Sequence, residues 1–309
     1  MKTISIVTPC YNEQDNVNEC VSVIKKVFSQ YPNYKYEHIF IDNASTDNTL
    51  ALLKDIARED SNVKIIANSR NFGHIRSPYY GLLQATGDAV ILFVADLQDP
   101  ADLIPQFLQK WEEGYQTVVG TKKSSEESSI MFSIRKLYYR TVNKLSNIAL
   151  IDNFTGFGLY DREVIEHLKT INDPYPYFRG LIAEIGLGIY KIPYDQPIRV
   201  RGITSNNFFT LYDIGMLGII SHSQVPLRIA TMTGFLISFL SILVALVYLI
   251  VKLIFWNSFS LGLAPVVIGL FFFSSVQLFF VGILGEYLGS VHTYSKNRPL
   301  VIEKERINF

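Results

Sequence analysis

The sequence predicts an α/β domain with a mostly parallel sheet, followed by a module of two transmembrane helices. Three observations support this prediction: short apolar runs alternate with amphipathic segments, polar clusters follow several of these runs, and two long apolar runs occupy the last third of the chain. Strands that alternate with helices pair in parallel through right-handed crossovers. We therefore expect helices on both faces of the sheet and a ligand site at the carboxyl ends of its strands.

The predicted elements alternate from the N-terminus onwards. Apolar residues with a helical period predict a helix over 15–28, since Val17, Val21 and Ile24 fall on one face. The remaining predicted helices are 50–57 and 78–85, and the predicted strands are the apolar runs 4–7, 38–41, 63–66 and 89–94.

Polar residues follow three of the predicted strands. They are Tyr11-Asn12-Glu13, Asp42-Asn43-Ala44-Ser45 and Asp96-Leu97-Gln98-Asp99. Each cluster alone is compatible with ordinary turn chemistry, because Asp42 and Ser45 are residue types that often begin helices. Because all three fall at one predicted edge of the sheet, we interpret them together as a site.

The long apolar runs, 229–251 and 261–285, contain no charged residue. About 20 apolar residues span the hydrocarbon core of a bilayer as a helix. Buried core helices are the alternative, but these are usually shorter and carry a polar face. Arg228 precedes the first run and Lys296 and Arg298 follow the second, so the positive-inside rule places both termini in the cytoplasm.

These patterns divide the chain into three parts. We expect a cytoplasmic domain at 1–222, two transmembrane helices within 223–290 (about 229–254 and 261–285), and a cytoplasmic tail at 291–309. A Gly282-x-x-Gly285 pair in the second helix offers a close helix contact for a homo-oligomer.

Composition excludes several classes of function. The 28 basic and 28 acidic residues balance, so no basic field indicates a nucleic-acid partner. Cys10 and Cys20 have no spacing typical of a metal site or a disulfide framework. The first residues enter a strand pattern without the features of a signal peptide, which favours a reducing cytoplasm for the domain.

The segment 128–150 has a basic amphipathic pattern. Apolar residues fall on one helical face, and Arg135, Lys136 and Arg140 fall on the other. Such a helix lies in the headgroup layer of a membrane or packs on the surface of the sheet, and both interpretations stay open.

Several segments resemble a known family. They are 5–13 (SIVTPCYNE), 41–49 (IDNASTDNT), 69–73 (SRNFG), 95–100 (ADLQDP), 282–289 (GILGEYLG) and 296–300 (KNRPL). On these motifs the chain resembles the inverting family 2 glycosyltransferases, and within them the polyprenyl-phosphate branch that includes dolichol-phosphate mannose synthases and bactoprenol glucosyltransferases. The resemblance covers nearly the whole chain and implies a GT-A-type, Rossmann-like fold.

The chain also departs from the family pattern. Val94 and Asn43-Ala44 replace an acidic residue and an Asp-Gly pair that members often carry. Phe157 and Gly158 stand where an acidic residue and an arginine are common, and Ser205 stands where a lysine is usual. These departures bear on the sugar, the metal and the acceptor.

The resemblance implies inverting transfer of a hexose, with glucose the best match, from a nucleotide diphosphate sugar to polyprenyl (undecaprenyl) phosphate. UDP-glucose is the expected donor, and the lipid-linked sugar would serve to modify a cell-surface polysaccharide such as lipopolysaccharide. A processive polysaccharide synthase is one alternative, although its usual Gln-x-x-Arg-Trp element is absent from the sequence. A catalytically degenerate membrane scaffold of the same fold is the other.

The resemblance also implies the roles of site residues. Asp96 and Gln98 are the expected ligands of Mg²⁺ or Mn²⁺, which would neutralise the departing diphosphate. Asp99 is expected to orient the donor sugar or a water molecule. The residues expected to bind the nucleotide sugar are Pro9, Tyr11, Glu13, Asp42, Asn43, Arg70 and Asp96.

The acceptor phosphate is expected to meet Arg199 and Arg201, because a guanidinium group matches phosphate oxygens bidentately. We count both arginines among the catalytic residues, and Thr204 and Ser205 would add hydroxyl donors. Contact of the two arginines with lipid headgroups alone is the alternative.

Overall fold

The computed structural model describes residues 1–123, 150–197, 216–218, 220, 223–255 and 263–309. Four residues expected at the acceptor phosphate, namely Arg199, Arg201, Thr204 and Ser205, lie outside these ranges. So does the amphipathic segment 128–150, apart from its last residue.

Eight strands and eight helices are described. The strands are β1 (Lys2–Cys10), β2 (Tyr34–Asp42), β3 (Val63–Asn68), β4 (Ala89–Leu92), β5 (Thr117–Lys122), β6 (Phe154–Asp161), β7 (Ile189–Tyr194) and β8 (Glu303–Ile307). The helices are α1 (Val17–Ser29), α2 (Thr49–Glu59), α3 (Gly73–Gln84), α4 (Ile104–Glu112), α5 (Arg162–Thr170), α6 (Phe178–Ile185), α7 (Val225–Ile254) and α8 (Leu263–Ser295).

The strands form one mixed sheet in the order β7-β5-β6-β4-β1-β2-β3-β8. β1 pairs in parallel with both β2 and β4, and the chain order reverses between β1 and β4. β6 and β8 run antiparallel to their neighbours, whereas β5 and β7 pair in parallel. In a sheet of this kind the ligand lies where the strand order reverses, outside the carboxyl ends.

Both faces of the sheet are covered by helices, as predicted. Alternate residues of β1 point to opposite faces, so Ile6 packs with Ile24 of α1 on one face while Val7 packs with Leu82 of α3 on the other. The predicted strands 4–7, 38–41 and 63–66 lie within observed strands, whereas the predicted strand 89–94 is longer than β4, which ends at Leu92. α3 begins at Gly73, before the predicted start at Pro78, and the Asn71 carboxamide just before it accepts the Gly73 N–H at 2.8 Å.

α7 and α8 are long and apolar enough to cross a membrane, with 30 and 33 residues. Their apolar side chains are exposed, as for Phe235 and Phe271. A 33-residue helix is about 50 Å long, more than the roughly 30 Å hydrocarbon core. α8 ends at Ser295, ten residues past the predicted end of the span at 285. The Tyr294 hydroxyl near this end donates to Asp173 Oδ2 at 2.9 Å.

The tail after α8 returns to the sheet. β8 pairs antiparallel with β3 and covers the edge of the sheet. The Ser69 N–H donates to the Ile302 carbonyl at 2.9 Å, and Val301 is buried. The part predicted as a separate tail is thus a structural element of the domain that precedes the two long helices.

Candidate active site

The carboxyl ends of β1, β2 and β4 bring the three polar clusters to one edge of the sheet. β4 and β5 are both antiparallel to β6, so they run in the same direction. β7 pairs in parallel with β5 and therefore runs that way too. Their last residues, Lys122 and Tyr194, therefore end at this edge as well. The sheet topology thus assembles the site from segments far apart in sequence.

The loops after β1 and β2 are locked together. The Asn12 N–H donates to Ser45 Oγ at 2.9 Å, and the Thr46 N–H donates back to Asn12 Oδ1 at 2.8 Å. Asn12 adopts a left-handed conformation with φ of 57°. Tyr11 is 45% exposed at the rim of this edge, beside half-buried Pro9.

Glu13 is also fixed within the protein. Its N–H donates to Thr49 Oγ1 at 2.8 Å, and its carboxylate accepts the Asn16 side-chain amide at 2.6 Å. Glu13 therefore stabilises the start of α1 at the edge of the site.

Asp42 is a buried carboxyl group at this edge of the sheet. It is fully buried, and one carboxylate oxygen accepts the Ser45 N–H at 3.2 Å. The other oxygen, Oδ1, is buried without a hydrogen-bond partner among the described residues. Burial raises the pKa of this carboxyl, although the contact with Ser45 opposes the shift. An unpaired buried acceptor is costly, so Asp42 is suited to receive a donor from a ligand.

Asn43, which is predicted to bind the nucleotide sugar, is held by hydrogen bonds within the protein. Its Nδ2 donates to Asn71 Oδ1 at 2.9 Å and to the Gly73 carbonyl at 3.2 Å. Its Oδ1 accepts the Phe72 N–H at 2.9 Å and Asn68 Nδ2 at 3.1 Å. Both donors and both acceptor positions of the amide are used, so Asn43 organises the 71–73 loop.

Arg70 stands on that loop and is exposed. Its guanidinium group lies 4.0 Å from the centroid of the Phe72 ring, and Nη1 donates to the Asn71 carbonyl at 3.0 Å. Because Phe72 is tied to Asn43, the charge of Arg70 is held at the rim of the site.

Asp96 and Gln98 form a tight turn after β4. The Gln98 N–H donates to Asp96 Oδ1 at 3.2 Å, and Leu97 between them has φ of 57°. Both side chains are half-buried. The described residues contain no group of three or more His, Cys, Asp or Glu side chains arranged around a metal position. An oxygen pair of this type suits Mg²⁺ or Mn²⁺ that takes its other ligands from substrate phosphates and water.

Asp99 is buried behind this turn. The Tyr194 hydroxyl donates to Asp99 Oδ1 at 3.0 Å, and Thr155 hydrogen-bonds to the same hydroxyl. Burial raises the pKa of Asp99 to about 7, while Tyr194 and Lys122 oppose the shift. Tyr194 and Thr155 were not identified from the sequence, which contains no local pattern that links them to Asp99.

Phe157, one of the departures from the family pattern, lies next to this group. It is buried and packs against Phe107 and Tyr194 at ring-centroid distances of 4.9 and 5.8 Å. The acidic residue common at this position would be surrounded by aromatic rings here. Phe157 therefore supports Tyr194 through packing.

The comparisons with known proteins agree with this geometry. Residues 5–169 match the family model described as glycosyl transferase family 2. An uncharacterised glycosyltransferase of Synechocystis sp. is 34% identical over 97% of this chain and 94% of its own. A bactoprenol glucosyl transferase of Shigella phage SfV is 31% identical over 97% of this chain and 98% of its own.

The fold also has solved relatives. The crystal structure of mannosyl-3-phosphoglycerate synthase from Rubrobacter xylanophilus matches with a TM-score of 0.51 and 16% identity, covering 75% of each chain. At this identity the likeness concerns the fold alone, and it confirms the predicted GT-A-like architecture.

Proposed function

Because the chain belongs to glycosyl transferase family 2 and is a glycosyltransferase, we propose that it transfers one hexose from a nucleotide diphosphate sugar to a polyprenyl phosphate, with inversion at the anomeric carbon. Glucose from UDP-glucose and undecaprenyl phosphate are the proposed donor and acceptor. The name of the Shigella phage relative, bactoprenol glucosyl transferase, supports this choice.

The observation that carries the proposal is the physical connection between the site and an apolar helix. α8 ends in a hydrogen bond from Tyr294 to Asp173, and the chain then runs directly into β8 of the sheet. A reaction centre joined in this way to a span is suited to an acceptor that is itself anchored in lipid.

The donor fits the edge around Asp42. Its unpaired Oδ1 would accept a base N–H or a ribose hydroxyl, which removes the cost of leaving that oxygen unpaired. Tyr11 and Pro9 would cover the base, and Arg70 would meet the diphosphate.

Asp96 and Gln98 would hold the divalent cation. When bound, that cation acts as a Lewis acid and neutralises the charge that grows on the departing diphosphate. Asp99 sits directly behind the turn, where its contact with Tyr194 fixes the carboxylate. We propose that Asp99 orients the donor sugar.

The acceptor requires little activation. A phosphate monoester has a second pKa near 6, so its oxygen is already a nucleophile at neutral pH. The protein has to hold it in line with the anomeric carbon, which is a matter of positioning and charge compensation. Arg199, Arg201, Thr204 and Ser205 remain proposed contacts for this phosphate.

For the membrane topology we propose two spans with both termini and the catalytic domain in the cytoplasm. The flanking Arg228, Lys296 and Arg298 support this orientation. The lipid-linked hexose would then form on the cytoplasmic side.

The test uses the full-length protein in vesicles with Mg²⁺, UDP-[¹⁴C]glucose and undecaprenyl phosphate. We expect label in the lipid extract and a product mass equal to one hexose on one lipid phosphate. Asp96→Ala should reduce the transfer to background, whereas Asp102→Ala, which removes a nearby exposed carboxylate, should not. A polymeric product, or transfer to water-soluble alcohols alone, would overturn the proposal.

A further inference from the structure

Arg76 and Arg179 stand on two neighbouring helices of the domain, α3 and α6. Arg76 stands on α3, one turn after the 71–73 loop, and Arg179 stands at the start of α6. The two helices touch, because the Phe178 ring packs against Tyr79 at a centroid distance of 6.3 Å. The pKa of His74, also on α3, is lowered by partial burial and then by the charge of Arg179. Arg179 is therefore close enough to the start of α3 for its charge to act on His74.

Arg76 has an unsatisfied donor. Its Nε is buried without a hydrogen-bond partner in the described part of the chain. Neither Arg76 nor Arg179 forms an ion pair with a described carboxylate. Leaving a buried cationic donor unpaired is costly, so the arrangement favours an anion from outside the protein.

A groove begins next to Arg76. The Arg76 guanidinium lies 5.7 Å from the centroid of the Tyr175 ring, and Tyr175 lines a groove of about 430 Å³. The other walls are one face of α8 and an apolar segment, with Gly282, Gly285, Gly289, Met216, Leu217 and Ile220. A Cβ atom added to any of these glycines would meet nothing within 4 Å, so the face of α8 is open.

Three carboxylates lie near the groove, and none of them forms an ion pair with Arg76 or Arg179 among the described residues. Asp173 accepts the Tyr294 hydroxyl at 2.9 Å and the Tyr175 N–H at 2.8 Å, so both of its oxygens are engaged. Glu286 lines the groove, but it stands eight residues before Tyr294, about 12 Å along the helix towards the apolar part. Glu184 of α6 is exposed to solvent.

An apolar groove beside Arg76, with Arg179 on the neighbouring helix and neither arginine ion-paired within the described ranges, matches one kind of ligand, an amphiphile with a long hydrocarbon chain and a phosphate end. We propose that Arg76 and Arg179 bind the phosphate of the acceptor lipid, while its isoprenoid chain lies in the groove between α8 and residues Met216, Leu217 and Ile220. This inference rests on the proposed function. It adds two cations to the acceptor site that no sequence motif indicates.

The experiment measures initial rates with the full-length protein, with UDP-glucose and either undecaprenyl phosphate or the short farnesyl phosphate. Arg76→Ala and Arg179→Ala should each raise the KM for both lipid phosphates about tenfold, as expected for one lost charged hydrogen bond, and leave the KM for UDP-glucose unchanged. Arg76→Lys should recover part of the loss. Arg58→Ala, an exposed arginine on α2, is the matched control.

A second pair of variants tests the groove. Gly285→Leu fills the groove without a clash and should raise the KM for undecaprenyl phosphate more than for farnesyl phosphate. Gly269→Leu, on the same helix but away from the groove, should leave both values unchanged.

The outcomes separate this inference from the proposed function. A raised KM for UDP-glucose with unchanged acceptor values would assign the arginines to the donor diphosphate and overturn the inference, while the function stands. If the wild type transfers no sugar to either lipid, the proposed function fails. Binding of radiolabelled undecaprenyl phosphate without nucleotide then decides: a loss in Arg76→Ala and Arg179→Ala supports the inference, and unchanged binding overturns it.

Discussion

Tyr194 shows how one hydroxyl group positions a buried acid. It reaches Asp99 from the last residue of β7, and Phe157 packs against its ring. Gly120 leaves room for both rings, since a Cβ atom there would lie 2.9 Å from each of them. The carboxylate of Asp99 is therefore held in one orientation behind the Asp96 turn.

Tyr194→Phe removes this hydroxyl and keeps the ring. We expect kcat to fall by about ten- to a hundredfold, because a hydrogen bond to a charged group contributes roughly 1.5–3 kcal/mol. The KM for UDP-glucose should change little, since Asp42 and Tyr11 are untouched. Steady-state kinetics measures both values, and Tyr190→Phe on the same strand is the control. Wild-type kcat in Tyr194→Phe would show that Asp99 needs no support.

His38 is a buried base inside the sheet. Its Nε2 lies 2.9 Å from Thr8 Oγ1, and Nδ1 has no hydrogen-bond partner in the described part of the molecule. Burial lowers the pKa of its imidazole from 6.5 to about 3. The native protein therefore keeps His38 neutral where the unfolded chain binds a proton.

This difference predicts acid sensitivity. Between pH 6.5 and about 3 the unfolded state binds more protons at His38, so the free energy of unfolding should decrease as the pH falls, by at most about 1.4 kcal/mol per pH unit. His38→Phe cannot titrate and should flatten the dependence between pH 6.5 and 5. Thermal midpoints in detergent measure it, with His167→Asn on the surface as the control. An unchanged slope would contradict the assignment.

At the scale of elements, β8 closes an edge that would otherwise expose unpaired backbone groups of β3. Side chains reinforce the pairing: Lys54 and Glu305 form an ion pair at 2.5 Å, and the Tyr80 hydroxyl donates to Glu303 at 2.9 Å. After β8, Asn308 Nδ2 donates to the carbonyls of Ala57 and Val63 at 2.7 and 2.8 Å. The end of the chain is thus fastened to α2 and β3.

Asn308→Gly tests this attachment. Asn308 has φ of 63°, which glycine adopts without strain, so the substitution removes two hydrogen bonds without straining the backbone. We expect a loss of about 1–3 kcal/mol in the free energy of unfolding, measured by denaturant titration in detergent. Asn308→Asp keeps the turn preference but cannot donate, and it should lose a similar amount. Equal stability of all three proteins would show that the end of the chain is not fastened.

At the scale of the whole molecule, the catalytic sheet includes residues from both ends of the chain. The two apolar helices lie between β7 and β8 in sequence, so the chain leaves the domain, passes through α7 and α8, and returns to β3. Two hydrogen bonds hold this return. The Tyr294 hydroxyl of α8 donates to Asp173, and the Ser69 N–H, next to Arg70, donates to the Ile302 carbonyl.

This connection predicts the behaviour of a truncated protein. A fragment of residues 1–222 lacks β8 and buried Val301, so it should be less stable and tend to associate through the bare edge of β3. Joining residues 299–309 to the fragment through a flexible linker should restore a soluble monomer with a higher thermal midpoint, by about 2–4 °C for each kcal/mol recovered. Light scattering and thermal unfolding measure both effects. A monomeric, equally stable 1–222 fragment would contradict the role of β8.

The sequence by itself determined the features that local patterns encode. Apolar residues recur at the strand or helix period because one face of each element is buried, so the alternating strands and helices were predicted correctly. The two long apolar helices were predicted from their uninterrupted apolar runs. The polar clusters that contain Asp42 and Asp96 were found for the same reason, since each directly follows a strand in sequence. One bound that failed is the start of α3 at Gly73, where Asn71 Oδ1, two residues earlier in the chain, accepts the Gly73 N–H.

Only the tertiary structure decided which distant residues meet. Tyr194 and Asp99 are 95 positions apart, and the residues that pair β8 with β3 lie more than 200 positions apart. Asn43 likewise has partners on β3 and on the 71–73 loop that its own sequence neighbourhood does not show. Such contacts form only after folding has brought distant segments together, at a cost in loop-closure entropy. They therefore leave no local periodic pattern in the sequence.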